Sequence, residues 1–368
     1  MPGAPPQPPE RDYWLALTRA VGIGPARFQR LLQHFGSAEA AWRASAAALA
    51  AAGLDARVVR QLLALREAVA PIGEEARLAA VGVRALTLAD AGYPAALREI
   101  ADPPPVLFLR GELLPADEWA VAIVGTRRAT AYGRQVAETL ATALARAGIT
   151  VVSGLARGID ACAHRAALAA GGRTLAVLGH GLDTIYPPEH QGLAREVAAS
   201  GALISEFPLG TRPDAPNFPR RNRILAGLAR AVVVVEAGRS SGALITAELA
   251  LEQGRDVYAV PGSIFSPASQ GTNALLKDGA RPLLDARDLL EDLHFTLVAE
   301  QQASRATLPA DPTESALLAA LDREPRHVDE VARTTGLPIE TVSSTLVMME
   351  LKGLVRQAGP LSYVRGNR

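Results

Sequence analysis

Lysine is almost missing from this 368-residue chain: of 38 basic residues, only Lys277 and Lys352 are lysines, and the rest are arginine. Arginines and alanines run through the whole sequence, so GC-rich coding accounts for most of the bias. Cysteine occurs once, at Cys162, which excludes an internal disulfide and any multi-cysteine metal site. No apolar run reaches the roughly 20 residues that cross a bilayer. The proline-rich start lacks the charged-then-apolar pattern of a secretory signal, so a soluble cytoplasmic protein with no membrane partner is expected. No G-x-x-x-x-G-K-[ST] element occurs, which argues against P-loop ATP hydrolysis, and the first glycine turn lacks G-x-G-x-x-G. Net charge is zero, which speaks against a chain coated in nucleic acid but leaves room for a local basic groove.

The length allows two or three domains. Residues 1–11 read as a loose tail. Residues 12–75 show apolar positions at helical spacing and form a helical domain. Within it, Val21-Gly22-Ile23-Gly24-Pro25 is a tight turn between two helices. Hairpins of this kind often present backbone amides to DNA phosphates, but on a motif this short a plain helix–turn–helix packing unit is the preferred reading. Residues 82–295 alternate strand and helix. Strands are expected near Val106–Leu109, Val121–Val124, Ile149–Val152, Thr174–Leu178, Ala202–Ile204, Ala231–Val235 and Val257–Val260. Helices fall at about Gly133–Arg146, Ile159–Ala169, Glu189–Ala198, Arg221–Leu228 and Ser241–Gln253. The unbroken Val232–Val235 run suits a strand covered on both faces, so the expected fold is α/β, a doubly wound, mostly parallel, Rossmann-like sheet. Residues 296–314 read as a linker. Residues 315–368, with three helices and a hairpin broken at Gly359-Pro360, read as a winged helix.

Five glycine turns follow predicted strands: Gly125-Thr126-Arg127, Ser153-Gly154, Gly179-His180-Gly181, Gly238-Arg239-Ser240-Ser241-Gly242 and Pro261-Gly262-Ser263. In a parallel sheet they share the carboxyl edge, where glycine lets the backbone approach a phosphate and helix N-termini add oriented amides. With Arg127 and Arg239 included, they point to an anion-binding edge. The segment Asn217-Phe218-Pro219-Arg220-Arg221-Asn222-Arg223 places three arginines and two amides around one aromatic just ahead of a predicted helix. Guanidinium groups there can hold phosphates, and an exposed Phe218 can stack on a base; a salt-bridged helix start with Phe218 in the core is the plainer alternative. From Arg212 to Arg239 six arginines face Asp214 and Glu236, a local excess of four positive charges. Asp160 and His164, four apart, share a helix face and read as a local hydrogen bond near the helix start; His180, His190 and Glu189 show no metal-ligand spacing, and Cys162 reads as a small core residue. No catalytic constellation, metal site or cofactor is expected.

Several motifs together resemble the DNA-processing protein A family (DprA, also called Smf). They are Tyr93-Pro94, Asp102–Phe108, Ile123-Val124-Gly125-Thr126-Arg127, Ser153–Asp160, Ser205-Glu206-Phe207-Pro208, Phe218–Ile224, Gly238–Leu244 and Gly271-Thr272-Asn273. The resemblance spans nearly the whole chain. It implies a Rossmann-like domain that binds single-stranded DNA, protects it during natural transformation, forms a homodimer and helps load the RecA recombinase. Gly125, Thr126 and Arg127 look like the family's phosphate-binding turn. Ser153-Gly154 belongs to a second motif, Arg220, Arg221, Asn222 and Arg223 to its basic segment with Phe218 as a stacking residue, and Ser240, Ser241 and Gly242 to another anion-binding turn.

Two other readings compete. A LOG-like nucleoside-monophosphate phosphoribohydrolase shares a related fold, but its Pro-Gly-Gly-x-Gly-Thr turn is replaced here by Ala237-Gly238-Arg239-Ser240-Ser241-Gly242, although Glu248 could imitate its acid. A transcription factor reading through the winged helix is disfavoured by its recognition segment Pro338–Lys352, which has Glu340 and Glu350 and only Lys352 as a base. A protein-binding role for that domain is at least as compatible.

Overall fold

The computed structural model of the chain describes residues 9–292, 312–322, 325–351, 355–359 and 361–365. The chain divides into two compact units, residues 1–295 and 296–368. Most of the expected linker at 296–314 and residues 1–8 of the expected tail lie outside the described residues. The tail is shorter than its composition indicates. Glu10 and Arg11 open the first helix; the Glu10 carboxylate accepts the Ala38 and Glu39 amides, and Arg11 donates to the Ala85 carbonyl oxygen.

Six helices lead: α1 (Glu10–Thr18), α2 (Pro25–Phe35), α3 (Ala38–Arg43), α4 (Ala46–Ala51), α5 (Ala56–Ala68) and α6 (Glu74–Ala79). Ser37, Ser45 and Asp55 side chains cap α3, α4 and α5 by accepting amides at 3.0, 3.2 and 2.9 Å. Each such cap contributes about 1 kcal/mol over alanine. The Val21–Pro25 turn does join α1 to α2. A second hairpin, Ala52-Gly53-Leu54-Asp55, joins α4 to α5, and the two lie side by side. Arg27 bridges them, donating to the Gly22 carbonyl at 2.7 Å and to Asp55 at 2.8 Å.

The sheet has nine strands: β1 (Arg84–Thr87), β2 (Val106–Gly111), β3 (Ala120–Val124), β4 (Thr150–Ser153), β5 (Thr174–Leu178), β6 (Ala202–Ser205), β7 (Ala231–Val234), β8 (Asp256–Ala259) and β9 (Arg281–Pro282). Their spatial order is 1-2-6-5-4-3-7-8-9. From β6 across to β9 all neighbours are parallel, while β1 and β2 extend the β6 edge antiparallel. The helices α7 (Ala95–Arg98), α8 (Ala131–Arg146), α9 (Ile159–Ala169), α10 (Gln191–Ser200), α11 (Asn217–Leu228), α12 (Gly242–Glu252), α13 (Gln270–Lys277) and α14 (Ala286–Asp292) connect or follow the strands.

Alternate residues of β3 explain the double cover. Ala120, Ala122 and Val124 pack with α7, α11 and α12, whereas Val121 and Ile123 pack with α8, α9 and α14. A strand buried on both faces can be apolar throughout, as these are. The N-terminal helices join the sheet through one apolar cluster holding Tyr13, Leu31, Ala85 and Phe108.

The second unit contains helices Pro312–Ala320, Val328–Thr335 and Ile339–Leu351 with a small sheet in the order Arg326–His327, Ser362–Arg365, Val355–Gly359. Leu317, Val331, Val342, Leu346, Met349 and Tyr363 form its core. This is a winged helix-turn-helix, with Gly336 in the left-handed region at the turn.

Candidate functional site

The chain leaves β3 toward β4, β5 and β6 on one side and returns at β7 on the other. The connections from β3 and β7 therefore diverge at their carboxyl ends, which is where an open α/β sheet makes a ligand crevice. Here the crevice measures about 600 Å³ and is lined by the turn after β3, the turn after β7 and the first turns of α11 and α12. Gly125 is required by close approach: a Cβ there would lie 2.6 Å from Ile159 and 2.9 Å from the Glu236 carbonyl oxygen. The Thr126 amide donates to that same carbonyl at 2.7 Å, locking the two turns together. The buried Glu236 carboxylate accepts from the Thr130 amide and hydroxyl at 2.9 and 2.5 Å, and the Thr130 hydroxyl in turn accepts the Gly133 amide at the start of α8. Gly158, at φ 77°, passes so near Thr126 that a Cβ would meet its carbonyl oxygen at 2.2 Å.

The floor of the crevice is wired to itself. Ser153 donates to the Ile123 carbonyl at 2.6 Å and so ties β4 to β3. The Gly154 amide donates to Asp160, and its carbonyl accepts from Arg221 at 3.0 Å. Arg221 is buried, also donates to Val177 O and reaches the Asn222 side-chain oxygen at 3.1 Å. Burial lowers its pKa to about 10; the Asp160 charge works against that shift and the like charge of Arg127 adds to it. Burial raises the Asp160 carboxyl, while Arg221 and the amides of Ala156 and Gly154 hold it back. Asn222 donates to the Gly242 carbonyl at 3.3 Å, and Ser241 caps α12 by accepting the Ala243 amide at 3.3 Å.

The rim differs. Arg127, Arg128, Arg239 and Ser240 are exposed, and among the described residues none of these three arginines has a carboxylate within ion-pair distance. The Arg127 guanidinium lies 5.3 Å from the centre of the half-buried Phe218 ring, and Tyr186 flanks that ring at 6.0 Å. Arg220 is exposed, stacked 5.4 Å from Phe207 and 3.9 Å from Glu206.

The basic segment is therefore divided, and the sequence reading is corrected in two places. Arg223, expected among the phosphate ligands, is buried and bound to Asp102 and Glu206, each at 2.8 Å. Arg220, one helical turn earlier on the same side of α11, reaches that Glu206 only from the exposed edge, at 3.9 Å. The segment also lies within α11, not ahead of it: the helix starts at Asn217, since Pro219 is tolerated in a first turn. Of the expected residues, Gly125, Thr126, Arg127, Phe218, Arg221, Asn222, Ser240, Ser241 and Gly242 line one crevice. Gly154 reaches only a small adjoining hollow beside Arg127 and Phe218, and Ser153 and Arg220 do not line the crevice.

Tyr186 is not singled out by the sequence, since it sits in no glycine turn or basic run, and Glu236 counts there only as a charge, not as the carboxylate that ties the two turns to Thr130. Asp160 and His164 do not bond each other; the His164 ring meets Thr174 at 2.6 Å. The Thr174 hydroxyl donates to Val151 O, so the imidazole Nδ1 donates to Thr174. No group of three or more potential metal-binding side chains occurs among the described residues. No helix among them is long and apolar enough to cross a membrane.

This geometry defines a doubly wound α/β protein with a cationic crevice at its topological switch point, preceded in the chain by a helical part and followed by a winged helix. The description "DNA recombination-mediator protein A" matches residues 84–294, with the DprA winged helix domain at 301–359 and the DprA-like N-terminal HHH domain at 9–70. The chain belongs to the DprA/Smf family. It is 37% identical over 393 residues to Protein Smf of Synechocystis sp., an alignment spanning 97% of this chain and 99% of that one. The structure of DNA processing protein A from Streptococcus pneumoniae superposes with a TM-score of 0.66 at 33% identity, covering 76% of this chain and 97% of the other. That of DNA processing protein A from Helicobacter pylori, described for its single-stranded DNA binding mode, gives 0.53 at 32% identity, covering 57% and 95%.

Proposed function

We propose that the protein is a single-stranded DNA-binding recombination mediator without catalytic turnover, acting in the cytoplasm on DNA taken up in natural transformation. One observation carries this: a switch-point crevice whose exposed Arg127 has no acidic partner among the described residues and lies over the aromatic Phe218. Phosphates fit the glycine turns and the α12 N-terminus, and a base fits against Phe218. The described binding mode of the Helicobacter pylori relative, 32% identical, supports the same ligand. We further assign it the family roles of protecting the strand, dimerising and helping to load RecA.

The phosphoribohydrolase reading finds less support. Glu248, the acid it would use, is exposed on α12 and does not line the crevice. Asp160, the one acidic residue lining it, is held by backbone amides. Salt-dependent binding of the purified protein to fluorescent single- and double-stranded oligonucleotides tests the proposal. A preference for the single strand, with an affinity falling steeply as salt rises, is expected. Equal or absent binding together with release of base from a nucleoside monophosphate would replace the mediator by the enzyme.

A further inference from the structure

The Gly271-Thr272-Asn273 motif takes no part in the crevice, yet it shapes its neighbour. Asn273 clamps the loop after β8: its side chain accepts the Gly262 amide at 3.2 Å and donates to the Gly262 carbonyl at 3.0 Å. Within that loop the Phe265 amide donates to the Ser263 hydroxyl at 3.3 Å, the Ser266 amide to the Ser263 carbonyl at 3.0 Å, and the Ser269 amide to the Ser266 carbonyl at 3.1 Å. These bonds hold Ile264 and Phe265 in solvent, at 76% and 88% exposure. An aromatic so exposed, on a loop so fastened, asks for a partner.

The loop joins the crevice rim at two points. The Gly271 amide donates to the Ala237 carbonyl at 2.7 Å, and a Cβ on Gly238 would lie 3.4 Å from the Pro267 carbonyl oxygen. On the other side, Tyr132 in the first turn of α8 donates to the Pro261 carbonyl at 2.9 Å while its ring stays half exposed. The exposed Arg239, without an ion-pair partner among the described residues, stands in sequence between Gly238 and Ser240, which line the crevice. Exposed aromatic rings on a loop fastened to the turn that carries an unpaired guanidinium supply the two kinds of group that bind the bases and phosphates of a single strand.

Building on the single-strand reading, we infer that Phe265, with Ile264 and Tyr132, forms a second stacking platform. It receives bases of the strand after they pass Arg239, so that a long single strand is held in the crevice and again beyond it. The ligand is the unpaired nucleobase of a single strand longer than the crevice.

Thymidine oligonucleotides of about five and about fifteen nucleotides, bracketing the usual site sizes for such proteins, separate the two sites. With the full chain, Phe265→Ala is expected to leave the short strand's affinity unchanged. It should weaken the long strand roughly tenfold, the effect of losing a stacked base, without altering the salt slope. Phe265→Trp should retain binding, with its added fluorescence quenched by the long strand only. Equal affinities of Phe265→Ala and the parent for the long strand, or an unquenched tryptophan at saturation, would overturn the platform. So would a Phe265→Ala chain that loses only self-association or recombinase binding. If the parent binds neither oligonucleotide, the single-strand reading itself fails, and the platform with it.

Discussion

Arg221 and Arg127 stand at one crevice in opposite circumstances. Arg221 is sealed beneath it, donating to the Gly154 and Val177 carbonyls beside Asp160, while Arg127 lies in solvent over Phe218 with no carboxylate at hand among the described residues. The same contrast separates the floor as a whole, including Ser153, Asp160 and Asn222, from the rim, with Arg128, Arg239 and Ser240. A floor that has spent its hydrogen-bonding capacity internally can only position what lies above it. A rim whose charges are unspent can bind. The difference yields an experimental signature: floor substitutions act on stability and respond to pH, whereas rim substitutions act on ligand affinity and respond to salt.

The largest effect belongs to Arg223. Its partner Glu206 is buried, and burial already raises that carboxyl despite the arginine. Arg223→Met leaves the carboxylate without its main counter-charge, so a loss of about 3 kcal/mol in unfolding free energy is expected. Urea denaturation measures it, and a midpoint equal to the parent's would break the division between buried, paired arginines and exposed, unpaired ones.

His164 comes next. It is fully buried against Thr174, and desolvation, aided by His190, Arg221 and Arg165, lowers its pKa from 6.5 to about 3. Between those values the unfolded chain binds a proton that the folded chain does not, so stability rises with pH and is lost on acidification. From pH 7 to pH 5 this one group costs about 2 kcal/mol. His164→Gln should lose that much less than the parent over the same interval. Parallel pH profiles for the two proteins would show that the buried imidazole is not the acid-sensitive element.

The sheet and the crevice were legible because five strands rich in Val, Ile and Ala were each followed by a glycine turn, and a parallel sheet sends all those ends to one edge. β1 and β9 were missed for a physical reason: Arg84-Ala85-Leu86-Thr87 opens on an exposed arginine, has no continuous apolar run and no glycine turn directly after it, and Arg281-Pro282 is an exposed edge without apolar alternation. The hairpin at Gly53 was missed because its turn carries one glycine where Val21–Pro25 carries two. Nothing local distinguishes Arg223 from Arg220. Its fate depends on Glu206 and Asp102, 17 and 121 residues away, and only the fold brings them together. The winged helix shows the converse, since its recognition helix is already known from sequence to lack arginine, and the structure exposes Thr341, Ser344, Val347 and Met348 there. A surface of that composition suits a protein partner better than a phosphate backbone.

The finest discrimination is at Arg127 itself. A charge-assisted hydrogen bond to one phosphate contributes about 1.5 kcal/mol, so Arg127→Ala should weaken single-strand binding roughly tenfold. It should also lower the slope of log affinity against log salt by about 0.7, one phosphate's worth for a single strand. Thermal stability should stay within about 0.5 kcal/mol of the parent, as for other exposed sites. Arg127→Lys sharpens the comparison further. Lysine keeps the charge and hence the salt slope, but its ammonium cannot lie flat between Phe218 and a base or grip a phosphate with two parallel bonds. If Arg127→Lys binds as tightly as the parent, the rim works through charge alone. If it keeps the slope and loses affinity, the planar guanidinium over Phe218 is what the crevice uses.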